Sequence, residues 1–265
     1  MTSIVVAESV TQIGPEARGA VLVAGSHGGL IAAYLAAKSG ARAVILNDAG
    51  VGKDAAGIAG LRWLEAIDMA AAAVAHTSAR IGDGADALVR GVIAHANAFA
   101  AGSGVAPQMS CRDAAARLLR APLPFGVPPP CSEGRFVLRE APGECSIWAL
   151  DSVGKVEAAD AGRILVIGSH AALHGGRPES ALAVAARAAV FHDAGCGAAG
   201  VTRLPVLASR GIAAVAVDGG TARIGDARSL WETGVVAHVN AVAAHLGAHT
   251  GMTTQAFARC CAGSS

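Results

Sequence analysis

AVLVAGSH at residues 20–27 and RILVIGSH at 163–170 are one phrase written twice, 143 positions apart. The displacement holds around it: Ser9-Val10 recurs as Ser152-Val153, and ARIGD at 79–83 recurs at 222–226. GVIAHANAFAAGSG at 91–104 then stands opposite GVVAHVNAVAAHLG at 234–247. From His76 to Met109, 15 of 34 positions are identical to residues 219–252, too many at one register for chance even in an alanine-rich chain. Between the anchors the register slips by two, so that NDAG at 47–50 faces HDAG at 192–195. The sequence therefore reads as a tandem duplication.

Each copy has the grammar of an α/β unit. An apolar run, Ala20–Ala24, leads into a Ser-His-Gly-Gly turn and a helical segment, Leu30–Lys38, closed by Ser39-Gly40. A second strand at Ala43–Leu46 ends in NDAG, a helix follows at about Ala55–Ala66, and Met69–Ala75 reads as a strand of small residues. A long helix over Ala85–Ala101 and a short one over Arg112–Arg120 complete the copy, and the second copy is expected to repeat the pattern from Ile164. Continuous apolar strands alternating with helices predict parallel sheets covered on both faces. APLPFGVPPPCSEG at 121–134 holds five prolines, which excludes regular helix or a central strand. The expected fold is thus α/β, two internally duplicated Rossmann-like lobes related by a pseudo-twofold, with lobes at 1–120 and 145–265 and a connector at 121–144.

Composition narrows the function classes. The 265 residues carry 21 basic and 20 acidic side chains, a net +1 that leaves no electrostatic footprint for nucleic acid or an anionic membrane. A mean hydropathy of +0.47 comes from Ala, Val and Gly runs cut by charges, as Arg187 cuts Ala181–Val190, and none reaches the ~18 residues of a spanning helix. MTSIVVAESV lacks the basic start of a signal peptide, so a cytoplasmic location is expected, with six reduced cysteines and no CxxC pair. The expected partner is a small molecule, with a homo-oligomer left open and no cofactor implied.

In parallel α/β sheets ligands gather beyond the carboxyl ends of strands, and a two-lobed plan places a pocket between lobes. Ser26, shared with Ser169, precedes two glycines that open a helix; it either caps the turn or serves as nucleophile or oxyanion contact. His27, Gly28, Gly29, Ser169 and His170 belong to the same turns as substrate contacts. Lys53 is one of only three lysines and lies between Asp48 and Asp54, where it is a surface ion pair, a carboxylate anchor or a base. Arg80 and Arg223, each three residues before an aspartate, pin their turns or hold a substrate carboxylate. His192 and Cys196, private to the second copy, are candidate acid/base and thiol groups; His76 is private to the first. His95 and His238 fall in predicted helices and read as core or interface histidines, as do Asn97 and Asn240. HAALH (170–174) and HLGAH (245–249) space histidines by four but lack the glutamate of H-E-x-x-H, and no metal is expected.

The two-lobed duplicated plan resembles the aspartate/glutamate racemase superfamily in architecture, although the paired cysteines of that superfamily are not matched: Cys196 faces Gly50 or Val51. The leading expectation is an enzyme, a cofactor-independent hydrolase of an amide or ester-like bond in a small carboxylate-bearing substrate, with Ser26, Lys53, Asp48, His192 and Cys196 as catalytic candidates. The alternatives are a racemase, isomerase or decarboxylase acting by proton transfer α to a carboxylate, and a non-catalytic small-molecule binding protein.

Overall fold

The computed structural model describes residues 3–262 and divides the chain into two compact units. One takes the chain up to Val51 together with Ala55–Ser132; the other takes Gly52–Asp54 and the chain from Glu133 onward.

In the first unit the strands are β1 (Ile4–Ala7), β2 (Val21–His27), β3 (Ala43–Asn47), β4 (Ala70–Val74) and β5 (Ile93–Ala96), and they lie in sequential order. The first four are parallel; β5 runs antiparallel to β4. Strand pleating sends alternate residues to opposite faces. Leu22, Val44 and Ala71 pack under the helices α1 (Leu30–Lys38) and α2 (Ala59–Trp63). Val21, Val23 and Ile45 pack under α3 (Gly84–Arg90) and α5 (Cys111–Leu118). The strand β4 is AAAAV and fully buried, so both helical layers can sit close to the sheet. At Gly60 an added Cβ would stand 2.6 Å from the Cβ of Ala33, so the α1–α2 contact depends on that glycine.

The second unit orders its strands β11 (Val236–Val239), β10 (Ala213–Val217), β9 (Ala188–His192), β8 (Ile164–His170), β7 (Ile147–Leu150) and β6 (Arg135–Arg139). Here β7 to β10 are parallel and both edges, β6 and β11, are antiparallel. Both sheets are therefore mixed, where all-parallel sheets were expected. Neither contains a reversal of strand order, the feature that marks a ligand crevice in a Rossmann sheet.

Two expected helices are corrected. The long helix over 85–101 is α3, then β5, then a short α4 (Ala98–Gly102). Gly91 ends α3, and the side chain of Asn97 caps α4 while also accepting from Ala71 N–H and donating to the carbonyls of Leu61 and Met69. That single buried amide ties β4, α2 and α4, and Asn240 makes the corresponding four bonds in the second unit, where α6 is Arg203–Ser209 and α8 is Ala241–His245. His95 and His238 consequently lie on strands β5 and β11.

The second correction concerns residues 171–187, where no α-helix replaces α1. Gly175 and Gly176 take positive φ, Pro178 follows, and only two short 3-10 turns form. The carbonyls that a helix would satisfy internally need other donors. Arg203, fully buried, supplies them: Nε donates to Ala172 O at 2.9 Å and Nη1 to the carbonyls of Ser180 and Ala181. Arg210 donates to Leu182 O and Val184 O. Burial without a carboxylate partner holds the Arg203 guanidinium down at about 10. In the first unit the corresponding position, whose N–H likewise reaches the chain after the Ser-His strand end, is Gly60, and a real helix packs there. The expected outcome of Arg203→Met is a loss of about 3 kcal/mol, since the buried carbonyls of Ala172 and Ala181 and the part-buried one of Ser180 lose their donor. Urea unfolding measures it against Arg62→Met, an exposed control on α2; equal midpoints for the two variants would contradict this role.

Candidate functional site

The turn leaving β3 is held by Asn47 and Asp48. Asn47 Oδ1 accepts from Ala49 N–H at 2.9 Å, and its amide donates to Ala79 O. Asp48 Oδ1 accepts from Gly50 N–H at 3.0 Å and from His76 N–H at 2.8 Å. Closing the turn puts Ala49, Gly50 and Val51 at φ of 49°, 70° and 62°. A β-branched residue in that region is strained, and such strain concentrates at working sites.

The same carboxylate oxygen accepts from the ring of His76, with Nδ1 at 2.8 Å. The Asp48 side chain is 5% exposed and that of His76 26%. A carboxylate only accepts, so Nδ1 carries the proton and Nε2 is left as the basic nitrogen. Nε2 has no hydrogen-bond partner among the described residues. His95, from β5, stands on the other side with Nε2 3.9 Å from Asp48 Oδ2. The arrangement is a histidine oriented by a buried aspartate, the pairing that fixes a general base, with a second imidazole beside it.

Of the residues expected at a site, Asp48 is at this centre. His76 was legible only as a residue private to the first copy, and His95 was read into a helix. Ser26 is 7% exposed; its hydroxyl accepts from Val10 N–H at 3.0 Å and lies 3.4 Å from Ser9 Oγ. Ser169 does the same for Val153 N–H. His27 Nδ1 accepts from Gly29 N–H, and His170 Nδ1 from Ala172 N–H, so both rings brace their own turns. Gly28 is required by close approach, because a Cβ there would meet Gly57 O at 2.7 Å. Arg80 pairs with Asp83 at 3.3 Å and Asp86 at 3.1 Å. Burial pushes the Asp86 carboxyl up, but bonds from Arg90 and from the backbone and side chain of Arg80 outweigh it and leave the group below its ordinary value.

Lys53 belongs to the second unit, whereas Ser26 belongs to the first. Its Nζ donates to Thr221 O and to Thr233 Oγ1 at 3.0 Å. Its neighbour Asp54 is paired instead with Arg223, which also binds Asp226. His192 is fully buried: Nδ1 accepts from Ala194 N–H, and Nε2 donates to Ala222 O at 3.0 Å, the crossing bond that Asn47 makes to Ala79. The Cys196 thiol donates to Ala194 O. Asp193 Oδ1 accepts from Gly195 N–H and Gly219 N–H, so the second unit keeps the aspartate frame but carries glycine where the first carries His76.

Among the described residues no group of three or more His, Cys, Asp and Glu side chains is disposed to hold a metal ion. A separate cleft of about 790 Å³ in the first unit is lined by Ser103, Met109, Asp113, Arg117 and Arg120 and contains none of these candidates. No helix among the described residues is long and apolar enough to cross a membrane. The chain matches no protein-family model, no curated protein and no solved structure.

His174 has a structural place beside Arg203. His174 Nε2 accepts from Arg203 at 3.3 Å, and burial, then the charges of Arg203 and Arg177, lower its pKa to about 4. A folded-state value below the unfolded 6.5 means the unfolded chain takes up the proton first. Stability is then present above pH 6.5 and falls as pH drops toward 4, by about 3 kcal/mol. His174→Gln is expected to flatten urea midpoints across that window; an unchanged slope would contradict the assignment.

Proposed function

We propose that the chain is an enzyme that acts on a small molecule by general acid–base catalysis, with His76 as the proton-transferring group and Asp48 as the residue that orients it. The observation carrying this reading is the 2.8 Å bond from His76 Nδ1 to a nearly buried carboxylate oxygen, which leaves Nε2 basic on a half-buried ring. Such a group contributes ~10²–10⁴-fold to a proton transfer. The reaction class it supports is proton transfer next to a carbonyl or carboxylate, as in an isomerase, racemase or decarboxylase. For an isomerase, Nε2 accepts the proton from carbon, Asp48 stabilises the imidazolium that forms, and the same nitrogen returns the proton to the new position. For a decarboxylase, Nε2–H protonates the carbanion left when CO2 departs; for a racemase, Nε2 removes the proton on one face and a second acid returns one on the other.

Hydrolysis through Ser26 is the weaker alternative, because that hydroxyl is committed to Val10 N–H in a buried turn and Lys53 Nζ is engaged by Thr221 and Thr233. The repeated phrases support an origin of the two units by duplication, after which only the first holds the imidazole; Gly219 occupies the corresponding place in the second. The reading carries with it a reducing, cytoplasmic setting in which the cysteines remain thiols.

The test is solvent exchange. Wild-type protein in D2O with a panel of 2-hydroxy, 2-amino and 2-oxo acids is expected to exchange the α-proton of at least one, read by proton NMR. His76→Gln keeps the backbone N–H on Asp48 and should lower that rate ~100-fold or more. Absence of exchange across the panel, or a rate untouched by His76→Gln, would sink the proposal; turnover lost only in Ser26→Ala would return the reading to covalent hydrolysis.

A further inference from the structure

The two oxygens of Asp48 are treated unequally. Oδ1 accepts three bonds, from Gly50 N–H, His76 N–H and His76 Nδ1. Oδ2 accepts none within hydrogen-bond distance among the described residues, although the side chain is 5% exposed. Oδ2 is not among the enclosed side-chain atoms that lack a partner, so it is open to a donor from outside the chain. His95 Nε2, at 3.9 Å, is too far to be that donor, yet its ring is held there by β5 and is 36% exposed. One nitrogen or oxygen atom at ~2.8 Å from each would span the gap, donating to Oδ2 and bonding Nε2. The second unit has the same aspartate turn, but among its described residues no histidine lies within ion-pair distance of Asp193; Gly219 and Gly195 simply close the loop.

We propose that Asp48 Oδ2 and His95 Nε2 form a subsite for a hydroxyl or amino group of the substrate, beside the imidazole of His76. This rests on the acid–base reading of the site and narrows its substrate class to small compounds that carry a hydrogen-bond donor near the carbon that loses its proton, such as hydroxy or amino acids. Asp48 thereby serves both functions through different oxygens: Oδ1 aims the base and Oδ2 takes hold of the substrate. His95 is a binding residue in this scheme and need not exchange a proton.

The experiment follows imidazole nitrogens by ¹H–¹⁵N NMR in the full chain. The probes are ethanolamine, ethylene glycol and, as an acceptor-only control, acetone. Ethanolamine or glycol is expected to shift His95 saturably in wild type and in His76→Gln, and acetone is not; binding of glycol marks a hydroxyl subsite, and binding of ethanolamine without glycol an amino one. Asp48→Asn should weaken the binding ~10-fold or more, the size expected for one bond to a charged acceptor. His95→Phe, read through the His76 ring, should weaken it too and guards against misfolding of the aspartate variant. Equal shifts with acetone, no saturable shift with either donor, or undiminished binding in both Asp48→Asn and His95→Phe would overturn the subsite. Donor binding retained in wild type while α-proton exchange fails across the panel would leave the subsite standing and remove the acid–base role of His76.

Discussion

A single carboxylate oxygen, Oδ1 of Asp48, joins the turn that leaves β3 to the chain that leaves β4. Two backbone N–H groups converge on it, and they fix the positions of both loops at the carboxyl edge of the first sheet. The left-handed run from Ala49 to Val51 is the conformational cost of that closure, about 1–2 kcal/mol at each residue with a side chain. The ring of His76 makes the third bond, so the imidazole is aimed by the same interaction that builds the turn. Asp193 forms the corresponding junction in the second unit from Gly195 and Gly219, without an imidazole. The junction is thus a structural device of both units that one of them also uses to hold a histidine.

The scaffold behind this edge is built from small side chains, and its specificity comes from buried polar groups. Alanine-rich strands let helices approach closely but give less area to bury than larger residues would. Asn97 and Asn240 compensate by satisfying four backbone groups each. Arg203 performs the most demanding of these tasks, standing in for the internal hydrogen bonds of a helix that residues 171–187 do not form. One physical rule covers all three residues: a buried backbone group must have a partner, and where secondary structure does not supply it a side chain does.

Much of the fold was legible because some signals are strictly local. The fully apolar runs that became β2, β3, β8 and β9 were readable as strands, and the capped pattern at 30–38 as α1. The failures share a cause. GVIAHANAFAAG has the composition of a helix, and its division into β5 and α4 depends on pairing with β4 and on Asn97 reaching back to Ala71, which no local pattern reports. Expecting the pattern to repeat from Ile164 followed the repeated phrases and overrode Gly175, Gly176 and Pro178, the local evidence against a copy of α1. Ser26 and Ser169, and His27 and His170, which recur in the two similar phrases, brace turns in their own units. His76 stands in the first half only, with Gly219 at the corresponding place, whereas Asp48 and His95 have counterparts at Asp193 and His238. His95 was hidden because its neighbour in space, Asp48, is distant in sequence and the strand that carries it was read as helix.

The central claim is that Asp48 fixes the tautomer of His76 and so creates a base. Neutron diffraction, or ¹⁵N chemical shifts of the His76 ring at neutral pH, reads this directly. The account predicts a proton on Nδ1 shared with Asp48 and a bare Nε2, with that preference lost in Asp48→Asn. A proton residing on Nε2, with Nδ1 bare, would contradict it.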